Sequence, residues 1–459
     1  MLGLFLKPEY EELIAKKDWE SLRVALEDLD PADIAEVLED LPPQDSGVIF
    51  RILPRERAAT AFEYLPVDQQ AGLVSTLSSD SLVKVLNEMA PDDRTRLFEE
   101  LPAEVTKRAL QQLNPEQLRV ARALLGYPDE SAGRFMTPEY LSVTPGMTAA
   151  QALDRVRTHG KTAETLNVIY VVDDHGVLLA DLRLAEVVMA PPDTRVGDLP
   201  TRGLVALTAT QGREEVVQTF EKYDRVALPV TDSGGVLVGI ITVDDVLDAA
   251  EQEATEDIQR LGGMEALDAP YMEIGFFEMV KKRGGWLSVL LVGEMLTTTA
   301  MSYFEDEIAR AVVLALFIPL IISSGGNSGS QATSLIIRAL AVREIELKDW
   351  WRVLLRELRS GLALGVLLAV IGFARIMLWP SRDTLYGPHY LLIACTVACS
   401  LIGVVLFGAC AGAMLPFALR RLGFDPATAS APFVATLVDV TGLVIYFTVA
   451  STFLAGVLL

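Results

Sequence analysis

Apolar positions in the first quarter of the chain come in short blocks that end on a fixed beat. A leucine or methionine followed by Pro or a polar or small residue recurs every 12 residues, at Leu29-Asp30, Leu41-Pro42, Leu53-Pro54, Leu65-Pro66, Leu77-Ser78, Met89-Ala90, Leu101-Pro102 and Leu113-Asn114. Each block predicts a helix of about two turns with Pro near its first position and one apolar face that needs a neighbour. Stacked units of this kind form a solenoid, here expected over residues 1–132 as an acidic, α-helical, superhelical N-terminal domain. Such arrays serve as sensing or interaction modules, or as plain spacers.

From residue 133 to 253 the pattern changes to β-branched runs alternating with helical ones, and a second repeat appears. VVDDHGVLLADLRLAEVV, from Val171, is echoed by PVTDSGGVLVGIITVDDVL, from Pro229, each predicting strand, turn, strand and helix. These two copies resemble a tandem pair of CBS domains, the closing Gly239 to Leu247 segment being the stronger match. That resemblance implies an α/β regulatory pair, with ATP as a candidate ligand, and no catalysis.

Residues 254–283 read as an acidic helix and an amphipathic connector ending in Lys281, Lys282 and Arg283, a linker of the plug type. From residue 284 to 459 the pattern is apolar almost throughout. Five spans are expected to form an all-α transmembrane domain: Gly284 to Phe304, Ala311 to Ile337, Gly361 to Trp379, Tyr390 to Leu419 and Ala427 to Leu459. Each is near or above the ~20 residues a bilayer requires. Lys281 to Arg283, Arg338, Arg343, Lys348, Arg352, Arg356, Arg359, Arg420 and Arg421 fall on one side, so the N-terminal domains are expected in the cytoplasm and the C-terminus outside. The protein is thus expected to be a multi-pass protein of the cell (inner) membrane, in contact with lipid. No secretory peptide is evident in the opening MLGLFL.

Charge narrows the partners. The 459 residues carry a formal net charge of −23, most of it in the soluble half, which excludes a nucleic-acid footprint and favours cations. An acidic surface kept for solubility would explain the same balance. Cys395, Cys399 and Cys410 share one apolar span and read as small buried hydrophobes. Without clustered Cys or His, any bound metal should have oxygen ligands, as Mg²⁺ or Ca²⁺ does.

One acid breaks the last span, APFVATLVDVTGLVIYF. Asp439 lies about a dozen residues into it, roughly 18 Å along a helix, where a carboxylate costs about 2.5–3.5 kcal/mol on insertion scales. An ion pathway would justify it, and so would a hydrogen bond to a neighbouring helix, with Thr436 and Thr441 as local candidates. Pro432 could turn nearby carbonyls, Ala435 among them, toward a cavity. In the second span, PLIISSGGNSGSQATS packs small residues and two amides, Asn327 and Gln331, four apart on one face. Pro319 and Gly325-Gly326 allow a break lining a water-filled path, or simply a close helix contact.

These residues resemble the MgtE family of magnesium transporters or channels, over essentially the whole chain. The order of parts agrees, as does the Pro319 to Gln331 stretch with the family's P…GGN-x-G-x-Q signature, and Asp425-Pro426 through Gly442 with its last helix. The resemblance implies a homodimer whose pore selects ions at Asp439, with Ala435 contributing a carbonyl and Gly326, Asn327 and Gln331 belonging to the pore segment. It further implies a Mg²⁺ sensor made of Asp92 and Asp93, Glu214 and Asp224, and Asp245, Asp248, Glu256 and Asp257. Arg96 departs from the family's pattern and removes one sensor acid. Asp244, Asp245, Asp248 and Glu251 crowd one helix at spacings where like charges repel, which either a divalent cation or plain solvation would relieve.

The function expected is import of Mg²⁺ down its electrochemical gradient, with intracellular Mg²⁺ bridging acidic domains and linker helix to close the pore. The protein is not expected to be an enzyme. The alternative is a nucleotide-responsive CBS membrane sensor without ion flux. An intramembrane aspartyl protease needs two acids sharing a proton, and Glu294 in the first span would be an unusual partner for Asp439.

Overall fold

The computed structural model describes residues 10, 12–27, 29–39, 41, 43–76, 79–267, 271–272 and 274–457. The opening MLGLFL, Pro42 and the repeat step Leu77-Ser78 lie outside them. The chain divides into two compact units, Met1–Glu251 and Gln252–Leu459.

In the first unit the 12-residue beat becomes a run of short helices: α1 (Trp19–Glu27), α2 (Pro31–Glu39), α3 (Pro43–Ile52), α4 (Arg55–Glu63), α5 (Val67–Thr76), α6 (Ser79–Glu88), α7 (Pro91–Glu100), α8 (Ala103–Gln112) and α9 (Pro115–Leu124). Proline opens several of them because its missing N–H is one the first turn leaves free. At α9 Asn114 caps the helix, its Oδ1 accepting from the Gln117 N–H at 2.8 Å. Helices pack against those two places along, α2 on α4, α4 on α6, α3 on α5 and α5 on α7, which winds the array into a superhelix. Ile34, Phe62, Leu86 and Leu97, one apolar position from each of four units, are fully buried in its core.

The CBS pair follows as two three-stranded sheets of identical order. In the first, β1 (Ser142–Val143) runs parallel to β2 (Val168–Val172), which pairs antiparallel with β3 (Leu178–Arg183). The second repeats this with β4 (Leu207–Thr208), β5 (Ala227–Thr231) and β6 (Leu237–Thr242). The two β-turns also match: Asp173 Oδ1 accepts from the N–H groups of His175 and Val177, and Asp232 Oδ1 from those of Gly234 and Val236. Gly176 and Gly235 supply the left-handed residue, at φ 81° and 79°. Helix α10 (Ala149–His159) lies in the first copy and α11 (Leu184–Met189) follows β3; α12 (Arg213–Tyr223) and α13 (Val243–Leu261) hold the corresponding places in the second.

The second unit is all-helical beyond α13, with α14 (Phe276–Tyr303), α15 (Ile318–Ala341), α16 (Trp350–Met377), α17 (Tyr390–Arg421) and α18 (Ala431–Leu454) as its long elements. Helix α17 is central, packing on α15, α16 and α18, while α14 packs chiefly on α18. Four helices are long and apolar enough to cross a membrane among the described residues: Val312–Ala341, Leu347–Met377, Tyr390–Arg421 and Ala431–Leu454. The first expected span, Gly284 to Phe304, is helical within α14 but is not one of the four, because Glu294 and Thr297 to Thr299 dilute its apolar run.

The breaks expected in two helices are absent. Pro319 and Pro432 both sit in the first turn, where no helix bond is lost, and α15 and α18 run on without interruption.

Candidate functional site

The small residues of α15 bring its backbone against α17. A methyl group added at Gly408 would lie 2.3 Å from the Gly325 carbonyl oxygen, and one at Gly412 would lie 2.2 Å from that of Gly329. Those four glycines are a close-packing seam, fastened by Ser328 Oγ donating to the Val405 carbonyl at 3.3 Å and Thr333 Oγ1 to the Gly412 carbonyl at 2.8 Å. Gly326 faces differently, in contact with Ala435 of α18 at 3.6 Å from an added methyl.

Away from the seam, α15 presents a polar stripe. Ser323, Asn327, Gln331 and Ser334 stand exposed at steps of four, four and three residues, on one face of the helix. In a bilayer such a face borders water or protein, since hydrocarbon offers no hydrogen bonds.

Asp439 lies one turn beyond Ala435 on α18, half-buried. Its expected local partners are engaged elsewhere: Thr436 Oγ1 donates to the Pro432 carbonyl at 3.1 Å and Thr441 Oγ1 to that of Leu437 at 2.8 Å. The Asp439 carboxyl is instead within hydrogen-bonding reach of the Glu294 carboxyl on α14. Around this contact the two helices are closely apposed, Gly293 admitting Thr436 Cγ2 to 2.9 Å of where its own methyl would be. The start of α18 is held too. Trp286 Nε1 donates to Ser430 Oγ at 3.1 Å, and Arg260 of the linker pairs with Asp425 and with Glu256.

The first unit holds the other concentration of charge. Asp92 and Asp93 enter from the first turn of α7, and Asp244, Asp245 and Asp248 from α13. Burial, reinforced by Asp245, Asp93 and Glu164, holds the Asp92 carboxyl well above the usual carboxylate range. Burial pushes Asp245 up to about 7, against a hydrogen bond from Thr242 Oγ1 at 2.8 Å and with Asp244, Asp93 and Glu164 adding to it. Asp93 is raised by burial, the pull of Arg96 being opposed by Asp248 and Asp244. Burial likewise raises Glu164, and takes Glu63 to about 7.

Asp92 Oδ1 is buried without a hydrogen-bond partner, an acceptor suited to a hard cation. No group of three or more such side chains among the described residues is arranged to hold a metal ion, so the acids form a repelling cluster and not a ready coordination cage. Arg96 takes part by pairing with Asp248 at 3.3 Å.

The remaining expected sensor acids stand apart from that list. Glu214, in the first turn of α12, accepts from Gln218 Nε2 at 2.9 Å. Asp224 caps the end of α12 in a left-handed conformation, φ 48°. Glu256 and Asp257 belong to the second unit, Glu256 bonding Arg260 at 3.0 Å.

Glu63, Glu164 and Glu139, whose charge adds to the repulsion on Glu164, are additions that sequence reasoning did not make, and Glu294 was weighed there only as an unusual partner for Asp439. Each reaches its partners over a long stretch of chain, and none sits in a motif. The one available signal was Glu294 itself, an acid inside an apolar span.

A membrane helical bundle with an acid at mid-span, preceded by a helical array and a CBS pair, defines a multi-pass membrane protein with a CBS-bearing soluble part. Comparison with known families gives the same division, with matches to an intracellular N domain of MgtE over residues 29–130, to CBS domains over 132–193 and 196–252, and to a divalent cation transporter domain, MgtE, over 318–449. The magnesium transporter MgtE of Thermus thermophilus is 42% identical over 345 residues, 75% of each chain. That of Bacillus subtilis is 31% identical over 74% of each. Among solved structures, the cytosolic domain of the Mg²⁺ channel MgtE in complex with ATP superposes with a TM-score of 0.50 at 35% identity, covering 53% of this chain and 99% of that one. The soluble part of a magnesium transporter gives 0.52 at 25% identity, covering 55% and 99%. The chain belongs to the MgtE family.

Proposed function

We propose that this protein carries Mg²⁺ across the membrane, down its electrochemical gradient into the cell, through a pathway lined by α15 and α18. The observation that carries the reading is Asp439, an acid at mid-span of an apolar helix, one turn from the Gly326–Ala435 contact between α15 and α18. Mg²⁺ sheds water reluctantly and takes few protein ligands, so one carboxylate per chain with amides nearby suits a hydrated ion. The exposed stripe from Ser323 to Ser334 supports a homodimer, in which two such faces would border one water-filled path. The soluble domains would then lie in the cytoplasm and the C-terminus outside.

Closure follows from repulsion. Burial, and after it their mutual repulsion and the Asp244 charge, raise the carboxyls of Asp92, Asp93, Glu164 and Asp245, and a divalent cation between them removes the penalty that protons otherwise remove. Intracellular Mg²⁺ would draw α7 and α13 together and hold the pore shut, with Glu214, Asp224, Glu256 and Asp257 as further ligands. ATP is the ligand we propose for the CBS pair, on the strength of the relative solved as an ATP complex.

The test is Mg²⁺ uptake into proteoliposomes with internal Mg²⁺ varied. Uptake that shuts off as internal Mg²⁺ rises is expected. Absence of uptake at every internal concentration, in folded protein, would leave a nucleotide-responsive membrane sensor as the reading.

A further inference from the structure

Glu294 stands inside the apolar stretch of α14, where a carboxyl is as out of place as Asp439 is in α18. The two are within reach of each other, and the Glu294 carboxyl is the charged group that bears on Asp439. A pair of ionised carboxylates offers acceptors and no donor, so the contact holds only with a proton or a cation between the two groups.

A second feature points the same way. Thr297, one turn along α14 from Glu294, is 9% exposed, and its hydroxyl has no hydrogen-bond partner. The helix buries little else; its main packing is on α18, so this hydroxyl lies in the seam that holds the two acids. Several other hydroxyls in these helices return to the carbonyl four residues back, as Thr299 does at 3.2 Å, Thr436 at 3.1 Å and Thr441 at 2.8 Å. Thr297 does not, and an unspent buried hydroxyl one turn from Glu294 is a ligand for water or for a hydrated cation.

We propose that Glu294 is a second carboxylate of the ion site: with Asp439, and with Thr297 holding a water of the hydration shell, it binds the hydrated divalent cation through both acids of the chain. This inference rests on Asp439 belonging to the ion pathway and adds α14 to the elements that build it.

The experiment is Mg²⁺ uptake into proteoliposomes by the full chain, with Glu294→Gln, Glu294→Asp and Asp439→Ala in parallel. Glutamine keeps the size of the side chain and can still donate to Asp439, but carries no charge. Glu294→Gln is expected to raise half-saturating Mg²⁺ by about tenfold with its maximal rate largely kept, and Glu294→Asp to restore part of the affinity. A half-saturating concentration unchanged in Glu294→Gln would overturn the proposal, leaving Glu294 a packing partner. The reading beneath is separable: if Asp439→Ala transports like the parent, the ion pathway itself is misplaced, whereas a dead Asp439→Ala beside an unaltered Glu294→Gln removes Glu294 alone.

Discussion

Asp245→Asn provides a direct measure of the strain stored in the acidic cluster. Burial and the neighbouring Asp244, Asp93 and Glu164 charges raise this carboxyl from its ordinary 3.8 to about 7. A raised acid makes the folded state hold its proton more tightly than the unfolded one. The stability it contributes is therefore fully present below pH ~4 and is lost as pH rises through about 7. The difference of about three pH units corresponds to roughly 4 kcal/mol of penalty at pH 8, at about 1.4 kcal/mol per unit. At pH 5 the native group is still protonated, and linkage leaves about 1.5 kcal/mol. Asparagine never ionises and keeps an acceptor for the Thr242 hydroxyl. If half the ceiling is realised, about 2 kcal/mol, the first unit should melt roughly 4–8 °C higher at pH 8 in the variant. The assay is calorimetric unfolding of the full chain in detergent, with EDTA present, at pH 8 and pH 5. A variant no more stable than its parent at pH 8, or a gain that fails to shrink at pH 5, would refute the argument.

Three further outcomes are expected. Asp439→Ala should abolish Mg²⁺ uptake while the protein stays folded and membrane-inserted, as judged by monodisperse elution in detergent. Gly412→Ala, whose methyl would meet the Gly329 carbonyl at 2.2 Å, should cost about 1–3 kcal/mol of stability in the membrane unit, against little for Gly284→Ala, where nothing lies within 4 Å; melting in detergent compares them. Arg96→Ala removes the cation that pairs with Asp248, so Mg²⁺ should protect the first unit against proteolysis at severalfold lower concentration than in the parent.

Much of the architecture was written into local patterns. A 12-residue beat specifies a helix, a proline start and an apolar face without reference to the rest of the chain, and the array from α1 to α9 follows it. The two β-turns were equally local, each an aspartate capping its own loop with a glycine two or three residues on. Asp439 announced itself because a charge in an apolar run has no cheap explanation. What surrounds these residues was less legible. Which acids repel Asp92 and Glu63 depends on how helices of the array meet the CBS pair, so the part Glu164 plays in both left no trace in spacing. Pro319 and Pro432 suggested broken helices, but a proline costs a helix nothing in its first turn, and position within the element decided the matter. Glycines 325 and 326 look alike in sequence and face different helices, the first α17 and α18, the second Ala435 alone.

The glycine seam between α15 and α17 has a mechanical meaning. Where each backbone rests in a gap left by the other's missing side chain, a slide of one residue, ~1.5 Å, would replace a gap with a side chain and jam the pair. The two helices are keyed together and can travel only as one body. Helix α14 carries no such key: it leans on α18 through a few side chains, with most of its surface uncovered. If ions pass beside Asp439 as proposed, motion that opens or closes the way is cheapest at that looser joint, and the helix that can move is the one that joins the linker to the membrane.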